Sequence, residues 1–154
     1  MLEVYFSSGM WNTPLESQSG SLVSLTYYAL VEQIDGAGRM VGLSGLYRRA
    51  WDHPDDGNYW LGWFAVDPRQ QRSGLGTLLL RGTASICAAK GGRRLCIETA
   101  PGLESALRLY RAEGFRDVNA IPSYWSPGAD LAIAYRDLDP AEKNRFGPIA
   151  VEEL

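Results

Sequence analysis

Apolar and polar positions in the first third of the chain predict paired strands. Leu22–Ile34 is rich in Val, Leu, Thr and Tyr, and a second apolar stretch at residues 40–47 follows the turn sequence Asp-Gly-Ala-Gly at 35–38. β-branched and aromatic residues favour strands, and a short Gly-containing turn between two such stretches is typical of a hairpin. Ahead of this hairpin, residues 2–6 fit either the end of a helix or a short strand.

The middle of the chain alternates strand and helix patterns. Residues 59–66 carry no charged side chain, which predicts a central strand covered on both faces, although Gly62 within it indicates a bulge or a close backbone approach. Leucines at helical spacing predict a helix over 74–90 that ends at Gly91-Gly92. The remaining predicted elements are a strand at Arg94–Thr99, a helix at 105–113, and closing strands at 115–119 and 130–138.

This order, β-β-β-α-β-α-β-β, predicts an α/β protein of the α+β kind. A right-handed strand-helix-strand crossover makes the centre of the sheet parallel, while the hairpins make its flanks antiparallel. The 154 residues contain no internal repeat or linker-like segment, and this length suits one core. We therefore expect residues 1–154 to form a single domain.

Composition excludes several classes of partner. The net charge is −3 with no clustered basic surface, which argues against nucleic acid. No apolar stretch approaches the length of a membrane span, and the N-terminus does not resemble a secretory signal, so we expect a cytoplasmic protein without membrane contact. Cys87 and Cys96 lack metal-ligand spacing, so we expect buried thiols and no metal.

The clearest chemical feature is the segment 67–76, which joins a predicted strand to a predicted helix. Glycines allow a close approach to a ligand, and the first amides of a helix attract phosphate oxygens. Arg69 and Arg72 add positive charge beside them. No Lys precedes Thr77, which excludes a P-loop, and Leu79 stands where a dinucleotide fingerprint has its third glycine.

Gln71, Gly74 and Gly76, after the sequence Val-Asp-Pro at 66–68, match the Q/R-x-x-G-x-G/A signature, and the chain here resembles the GNAT acetyltransferases. Three further blocks resemble the family in the same order. They are the strand sequence at 91–99, the helix end Leu-Tyr-Arg-Ala-Glu-Gly-Phe at 109–115 and the segment 121–128, which looks like the closing loop of a family subgroup. The resemblance covers about residues 59 to 138, and four ordered blocks are far more specific than one motif.

The resemblance implies a GNAT-like mixed sheet with a splayed parallel pair, helices on both faces, and acetyl-CoA as co-substrate. Gly62 would lie near the splay where the acyl group enters. The backbone of one strand would hold the pantetheine arm, and the glycine-containing turn would bind the pyrophosphate. The cofactor-binding residues implied are Phe64, Ala65, Val66, Gln71, Arg72, Ser73, Gly74, Leu75, Gly76 and Thr77.

The implied reaction is attack of a primary amine, carried by a small molecule, directly on the thioester. The amine must be neutral, the developing oxyanion needs an N–H donor, and the leaving thiolate benefits from a proton. Tyr110 matches the family's tyrosine near the sulfur and is the candidate general acid, or else a core aromatic residue. Glu98 is the candidate base, or else the partner of a nearby arginine.

Other polar and aromatic residues have two interpretations each. Asp52, Asp55 and Asp56 attract a cationic amine or belong to a solvated loop, in which His53 is expected to be exposed. Four aromatic residues line an acceptor pocket or belong to the core. These are Trp60, Trp63, Tyr124 and Trp125.

Two departures from the family leave alternatives open. Leu103 stands where many members have an Asn that contacts pantetheine, and the region before the hairpin is too short for the usual strand and two helices. Part of the wall on the acceptor side would then be missing, truncated or supplied by another copy of the chain. This suggests a homodimer. The alternatives to a small-molecule enzyme are a non-catalytic CoA-binding or interaction module and an enzyme that acetylates proteins or peptides.

Overall fold

The computed structural model describes the backbone of residues 2–7, 22–49 and 52–145. Within these ranges two α-helices and two short 3-10 helices accompany the strands of one sheet. The elements are β1 (Leu2–Ser7), β2 (Leu22–Ile34), β3 (Ala37–Arg49), β4 (Asn58–Val66), α1 (Leu75–Ala89), β5 (Arg94–Thr99), α2 (Glu104–Ala112), β6 (Arg116–Ser126) and β7 (Ala129–Asp137), with 3-10 helices at Pro68–Gln70 and Pro140–Asn144.

The strands form a seven-stranded sheet in the order β1-β2-β3-β4-β5-β7-β6. Every neighbouring pair is antiparallel except β4 and β5, which are parallel, as a strand-helix-strand crossover requires. The predicted fold class is therefore confirmed. The ambiguous N-terminal residues form a strand, β1, which pairs with β2 from Leu2↔Glu32 to Ser7↔Tyr27. The region 8–21 expected to be shortened lies outside the described residues.

The hairpin between β2 and β3 has a two-residue turn. Asp35 and Gly36 both adopt positive φ, at 51° and 80°, and Ile34 pairs with Ala37 across them. A two-residue turn with both φ values positive favours Asp-Gly because glycine takes the left-handed conformation without strain. The second strand therefore begins at Ala37, before the predicted start at residue 40.

Strand β4 differs from its prediction. Its apolar run predicts burial on both faces, yet only Leu61 is buried, while Trp63 is 42% exposed and Ala65 is exposed. Pairing with β5 stops at Leu61, so the second half of β4 has a neighbour along one edge alone. An apolar sequence does not reveal where its partner strand diverges.

Both α-helices pack on the same face of the sheet. Leu80 and Ala84 of α1 share one buried cluster with Tyr110 of α2 and with strand residues such as Leu61 and Ile97. The helices also contact each other, since Arg81 donates from Nε to Oε2 of Glu113 at 2.8 Å. Where the resemblance implies helices on both faces, the two described α-helices share one.

Polar and thiol groups are also buried in the interior. The Ser44 hydroxyl on β3 and the Thr83 hydroxyl on α1 are hydrogen bonded at 2.7 Å in the interior. Cys87 and Cys96 are buried free thiols, as predicted, and burial raises the pKa of each to about 12. At neutral pH both therefore remain protonated and unreactive.

Candidate active site

The parallel strands β4 and β5 separate partway along their length. They pair from Asn58↔Arg94 to Leu61↔Ile97, after which β4 continues to Val66 and β5 to Thr99 without pairing to each other. The gap opens toward the carboxyl ends of both strands. In open α/β sheets this end is where ligands bind.

A β-bulge lies at the mouth of this gap. Gly45 pairs with Gly62 and Leu43 with Ala65, so Trp63 and Phe64 together oppose Ser44. Trp63 adopts a φ of 47°, which is unusual for a large residue. Because a bulge leaves its extra residue unpaired, one residue of β4 here lies outside the ladder with β3.

At position 62, where the bulge begins, the ring of Tyr47 leaves no room for a side chain. A Cβ at this position would lie 2.9 Å from Cε1 of Tyr47, closer than atoms pack. The ring of Tyr47 therefore lies directly over the backbone at the start of the splay.

The predicted anion-binding turn lies between β4 and α1. Residues 71–74 are exposed, and Gly74 is the N-cap of α1 with a φ of 83° and no side-chain cap. The first hydrogen bond of the helix runs from the Leu78 N–H to the Gly74 carbonyl at 3.0 Å. The N–H groups of Leu75, Gly76 and Thr77 therefore have no acceptor within the helix and lie at its positive end, where an anion is favoured.

The two arginines of this turn differ in what they can contribute. Arg69 donates to both carboxylate oxygens of Asp67 at 3.2 Å, and this contact lowers the pKa of the Asp67 carboxyl. Its charge is therefore largely compensated, contrary to the expectation that both arginines add free positive charge. Arg72 is exposed and adopts a left-handed φ of 65°, a conformation that usually favours glycine.

Gly76 allows the start of α1 to pack closely against α2. A Cβ there would lie 3.3 Å from Cδ2 of Leu109 and 3.9 Å from Cγ2 of Val66. Both glycines of the signature thus have separate roles: Gly74 provides the left-handed cap, and Gly76 permits the contact with α2.

Tyr110, the candidate acid, is 5% exposed and lies on α2 against the end of β4. Its ring packs against Phe64 with centroids 6.1 Å apart and against Phe115 at 5.8 Å. Burial raises the pKa of Tyr110 to about 12. It is both a core aromatic residue and a neighbour of the splayed strand, so its two interpretations do not exclude each other.

Glu98, the candidate base, is one residue beyond the last parallel pair on β5. Its Oε2 accepts a hydrogen bond from Nη2 of Arg49, and the two side chains are 12% and 9% exposed. Burial raises the pKa of Glu98 above its usual value, and the Arg49 charge opposes that shift. Glu98 is thus paired with an arginine, as its second interpretation expected, and its carboxylate lies at the mouth of the gap.

The aromatic residues considered for an acceptor pocket differ in exposure and in their contacts. Trp60 donates from Nε1 to Asp52 at 2.7 Å and is partly buried, whereas Trp63 and Tyr124 are exposed. The side chain of Trp125 lies outside the described ones. Only Trp63 is placed directly at the bulge.

The acidic loop after β3 is mainly solvated. Asp55, Asp56 and His53 are exposed, and Nδ1 of His53 accepts from the Asp55 N–H at 3.2 Å. Asp52 is held by Trp60 and is half-buried. The loop therefore agrees with the solvated interpretation, and His53 is exposed as expected.

Sequence reasoning missed three residues around Glu98 and Trp63. Arg49, Tyr27 and Tyr47 come from β2 and β3 and carry no motif. Arg49 is 49 positions before Glu98, so their pairing arises from the strand order and not from any local spacing.

With this geometry in view, the chain can be compared with known families. The model of the acetyltransferase (GNAT) family matches residues 5–115. Because the match spans most of the chain, the protein belongs to the GNAT family. It is accordingly an acyl-CoA-dependent N-acetyltransferase, of a family that uses acetyl-CoA as co-substrate.

Solved structures agree with the fold. A GNAT-family protein from Desulfovibrio desulfuricans is 26% identical, with a TM-score of 0.64 over 75% of this chain and 70% of that one. The IAA acetyltransferase of Bacillus cereus is 19% identical, with a TM-score of 0.63 over 82% and 85%. The ribosomal-protein-S18-alanine N-acetyltransferase of Escherichia coli is 21% identical, with a TM-score of 0.61 over 86% and 80%. No curated protein sequence matches the chain.

The described residues contain neither a metal-binding cluster nor a membrane-spanning helix. No group of three or more His, Cys, Asp or Glu side chains among them could hold a metal ion. None of the helices in this part of the chain is long and apolar enough to cross a membrane.

Proposed function

We propose that this enzyme transfers an acetyl group from acetyl-CoA to the primary amine of a small molecule, by direct attack within a ternary complex. The observation that carries the proposal is the uncapped start of α1 beside the splayed strands β4 and β5. An anion site and an open strand edge, joined by one short turn, suit a long ligand with a diphosphate at one end.

The residues present fit acetyl-CoA. The N–H groups of Leu75, Gly76 and Thr77, with the exposed turn 71–74, would bind the pyrophosphate. Nothing lies within 4 Å of a Cβ placed on Gly74, so the positive end of the helix is open. The unpaired edge of β4 at residues 64–66 would hold the pantetheine amides as an added strand.

The thioester supplies an activated acyl group. A neutral amine nitrogen forms a bond to the carbonyl carbon as the carbon–sulfur bond breaks, and the freed backbone amide at the Trp63 bulge would stabilise the developing oxyanion. Tyr110 would give its proton to the leaving thiolate, since a phenol with a pKa near 12 remains protonated at neutral pH.

Glu98 would accept the proton that the amine loses. Its position one residue beyond the parallel pairing supports this role, and its raised pKa makes it a stronger base than an ordinary carboxylate. Arg49 would keep it ionised and fix its orientation. This makes Arg49 a positioning residue and not a participant in the transfer.

Thiol release from acetyl-CoA with a panel of primary amines tests the proposal. We expect turnover, and Tyr110→Phe should lower kcat about 10²-fold while acetyl-CoA still binds, because the ring packing survives and only the proton donor is lost. Tyr28→Phe is the matched control, since Tyr28 is a buried tyrosine of the same cluster on β2. A thermal shift with acetyl-CoA but no thiol release with any amine or peptide would instead identify a non-catalytic module.

A further inference from the structure

An aromatic cluster lies on the face of the sheet that the two α-helices do not cover. Tyr28 and Leu46 belong to the helix-side core, so their strand neighbours Tyr27 and Tyr47 point the opposite way. Trp63 packs edge-on against both tyrosines, with centroids 5.8 Å from each. These three residues are called the aromatic platform below.

The aromatic platform is rigid and open at one ring. Tyr47 is 4% exposed beneath it, whereas Trp63 keeps 42% of its surface exposed. The bulge and the positive φ of Trp63 fix its direction, and two edge contacts prevent the ring from collapsing onto the sheet. The exposed indole of Trp63 therefore lies at the mouth of the gap where the acyl group would be transferred.

Among the described residues, one cation and two carboxylates lie beside the aromatic platform. The Arg49 guanidinium lies 5.3 Å from the Tyr47 ring centroid and 5.1 Å from that of Trp60, and it is paired with Glu98. The adjacent Asp52 carboxylate accepts from the Trp60 indole, a neutral donor that does not cancel its charge. This surface thus offers π-faces close to a carboxylate that already has its own cation, and the charges of Arg49, Glu98 and Asp52 leave one net negative charge to attract an ammonium group.

We propose that the acceptor is an amine joined by a short chain to a flat aromatic ring, which packs on Trp63 while the amine reaches Glu98. This rests on the proposed function and names its substrate class. Aromatic rings gain from offset or edge-to-face packing beyond what a saturated ring of similar size gains by burial. The platform should therefore select flat rings over puckered ones.

The test compares matched amines with the full chain. 2-Phenylethylamine and 2-cyclohexylethylamine differ chiefly in ring flatness, and n-butylamine and spermidine represent a small and a polycationic acceptor. We expect kcat/KM for 2-phenylethylamine to exceed that for 2-cyclohexylethylamine about tenfold. Trp63→Leu should abolish this ratio, and Trp63→Phe should preserve most of it.

Met40→Ala serves as the control, because Met40 is 59% exposed on the far part of β3 and outside the platform, and it should leave the ratio unchanged. An equal loss of kcat/KM for all amines in Trp63→Leu, or a preference for spermidine, would overturn the substrate class and leave the acetyltransferase intact. Absence of turnover on every amine, with acetyl-CoA bound, would overturn the proposed function itself.

Discussion

Glu98 experiences two opposing effects whose balance sets its chemistry. Burial raises the pKa of its carboxyl, and the Arg49 guanidinium, in direct contact, lowers it. As the proposed base, Glu98 must be deprotonated to act, so we expect activity to be lost as the pH falls through this pKa. Under this proposal, the charge of Arg49 determines how low the pH can fall before the activity is lost.

Replacing Arg49 by Met should shift the acidic limb of the pH–rate profile to higher pH. The substitution keeps an apolar side chain of similar length and removes the charge that opposes the burial effect on Glu98. The profile of kcat/KM against pH measures the shift, and Glu98→Gln should lower kcat/KM and remove the limb altogether.

Arg94→Met is the matched control for this prediction. Arg94 also lies on β5, pairs with Asp137 and packs over the Tyr135 ring at 4.3 Å, but it does not contact Glu98. Its removal should leave the limb in place. An unchanged limb in Arg49→Met would show that Glu98 is not the titrating base.

Single residues of the site differed in how far the sequence could predict them. Gly74 and Gly76 belong to a local signature, so their places at the start of α1 followed from spacing alone. Arg49 could not be assigned to Glu98, because only the pairing of β3 with β4 and of β4 with β5 brings them together. Contacts across strands need the register, which a single sequence does not give.

At the scale of the element, α1 offers an internally matched pair of glycines. Gly74 before its start and Gly91 after its end have φ values of 83° and 84°, and a Cβ at either would meet nothing within 4 Å. Alanine at each position should cost about 1 kcal/mol of stability, because both require the left-handed conformation.

Only Gly74→Ala should weaken acetyl-CoA binding, since it alone distorts the amides of the anion site. We expect a rise of about tenfold in Kd for Gly74→Ala and none for Gly91→Ala, measured by calorimetric titration, with similar losses of Tm in both. Equal Kd values in the two variants would place the pyrophosphate elsewhere.

The limits of helices and strands were predicted best where glycines or turn residues mark the ends of an element. β2 and β5 have the predicted limits, and each helix lies within one residue of its prediction, because a glycine follows the end of each helix. β6 was predicted to end at residue 119, but it continues to Ser126 through the segment expected to be a loop. β4 was predicted with the right position and the wrong burial. Its apolar residues serve a splayed, half-open strand, and apolar character alone does not distinguish that from a covered one.

At the scale of the whole molecule, carboxylates in ion pairs link the folded state to pH. Hydrogen bonds from Arg81 lower the pKa of Glu113, the pair that joins α1 to α2. A lowered pKa in the folded state stabilises it above the unfolded value of about 4.3, and this stability is lost as pH falls below that value. Asp137, paired with Arg94, contributes in the same direction.

Glu113→Gln should therefore lower Tm by about 2 °C near neutral pH, and by progressively less as the pH falls through the lowered pKa of the wild-type carboxyl. Thermal unfolding followed by circular dichroism across this range measures the difference. Glu104→Gln is the control, because Glu104 is exposed at the start of α2. A Tm difference that stays constant with pH would mean that Glu113 acts through packing and not through its charge.

The short parallel pairing of β4 and β5 has a mechanical consequence. Within the described sheet, strands β1 to β4 form one half and strands β5 to β7 the other, and the parallel pairing that joins the two halves ends at Leu61↔Ile97. A pantetheine arm bound as proposed would add hydrogen bonds along the open edge of β4 and continue the pairing beyond Leu61. We therefore expect the two halves of the sheet to be more compliant in the free enzyme than in its complex with acetyl-CoA.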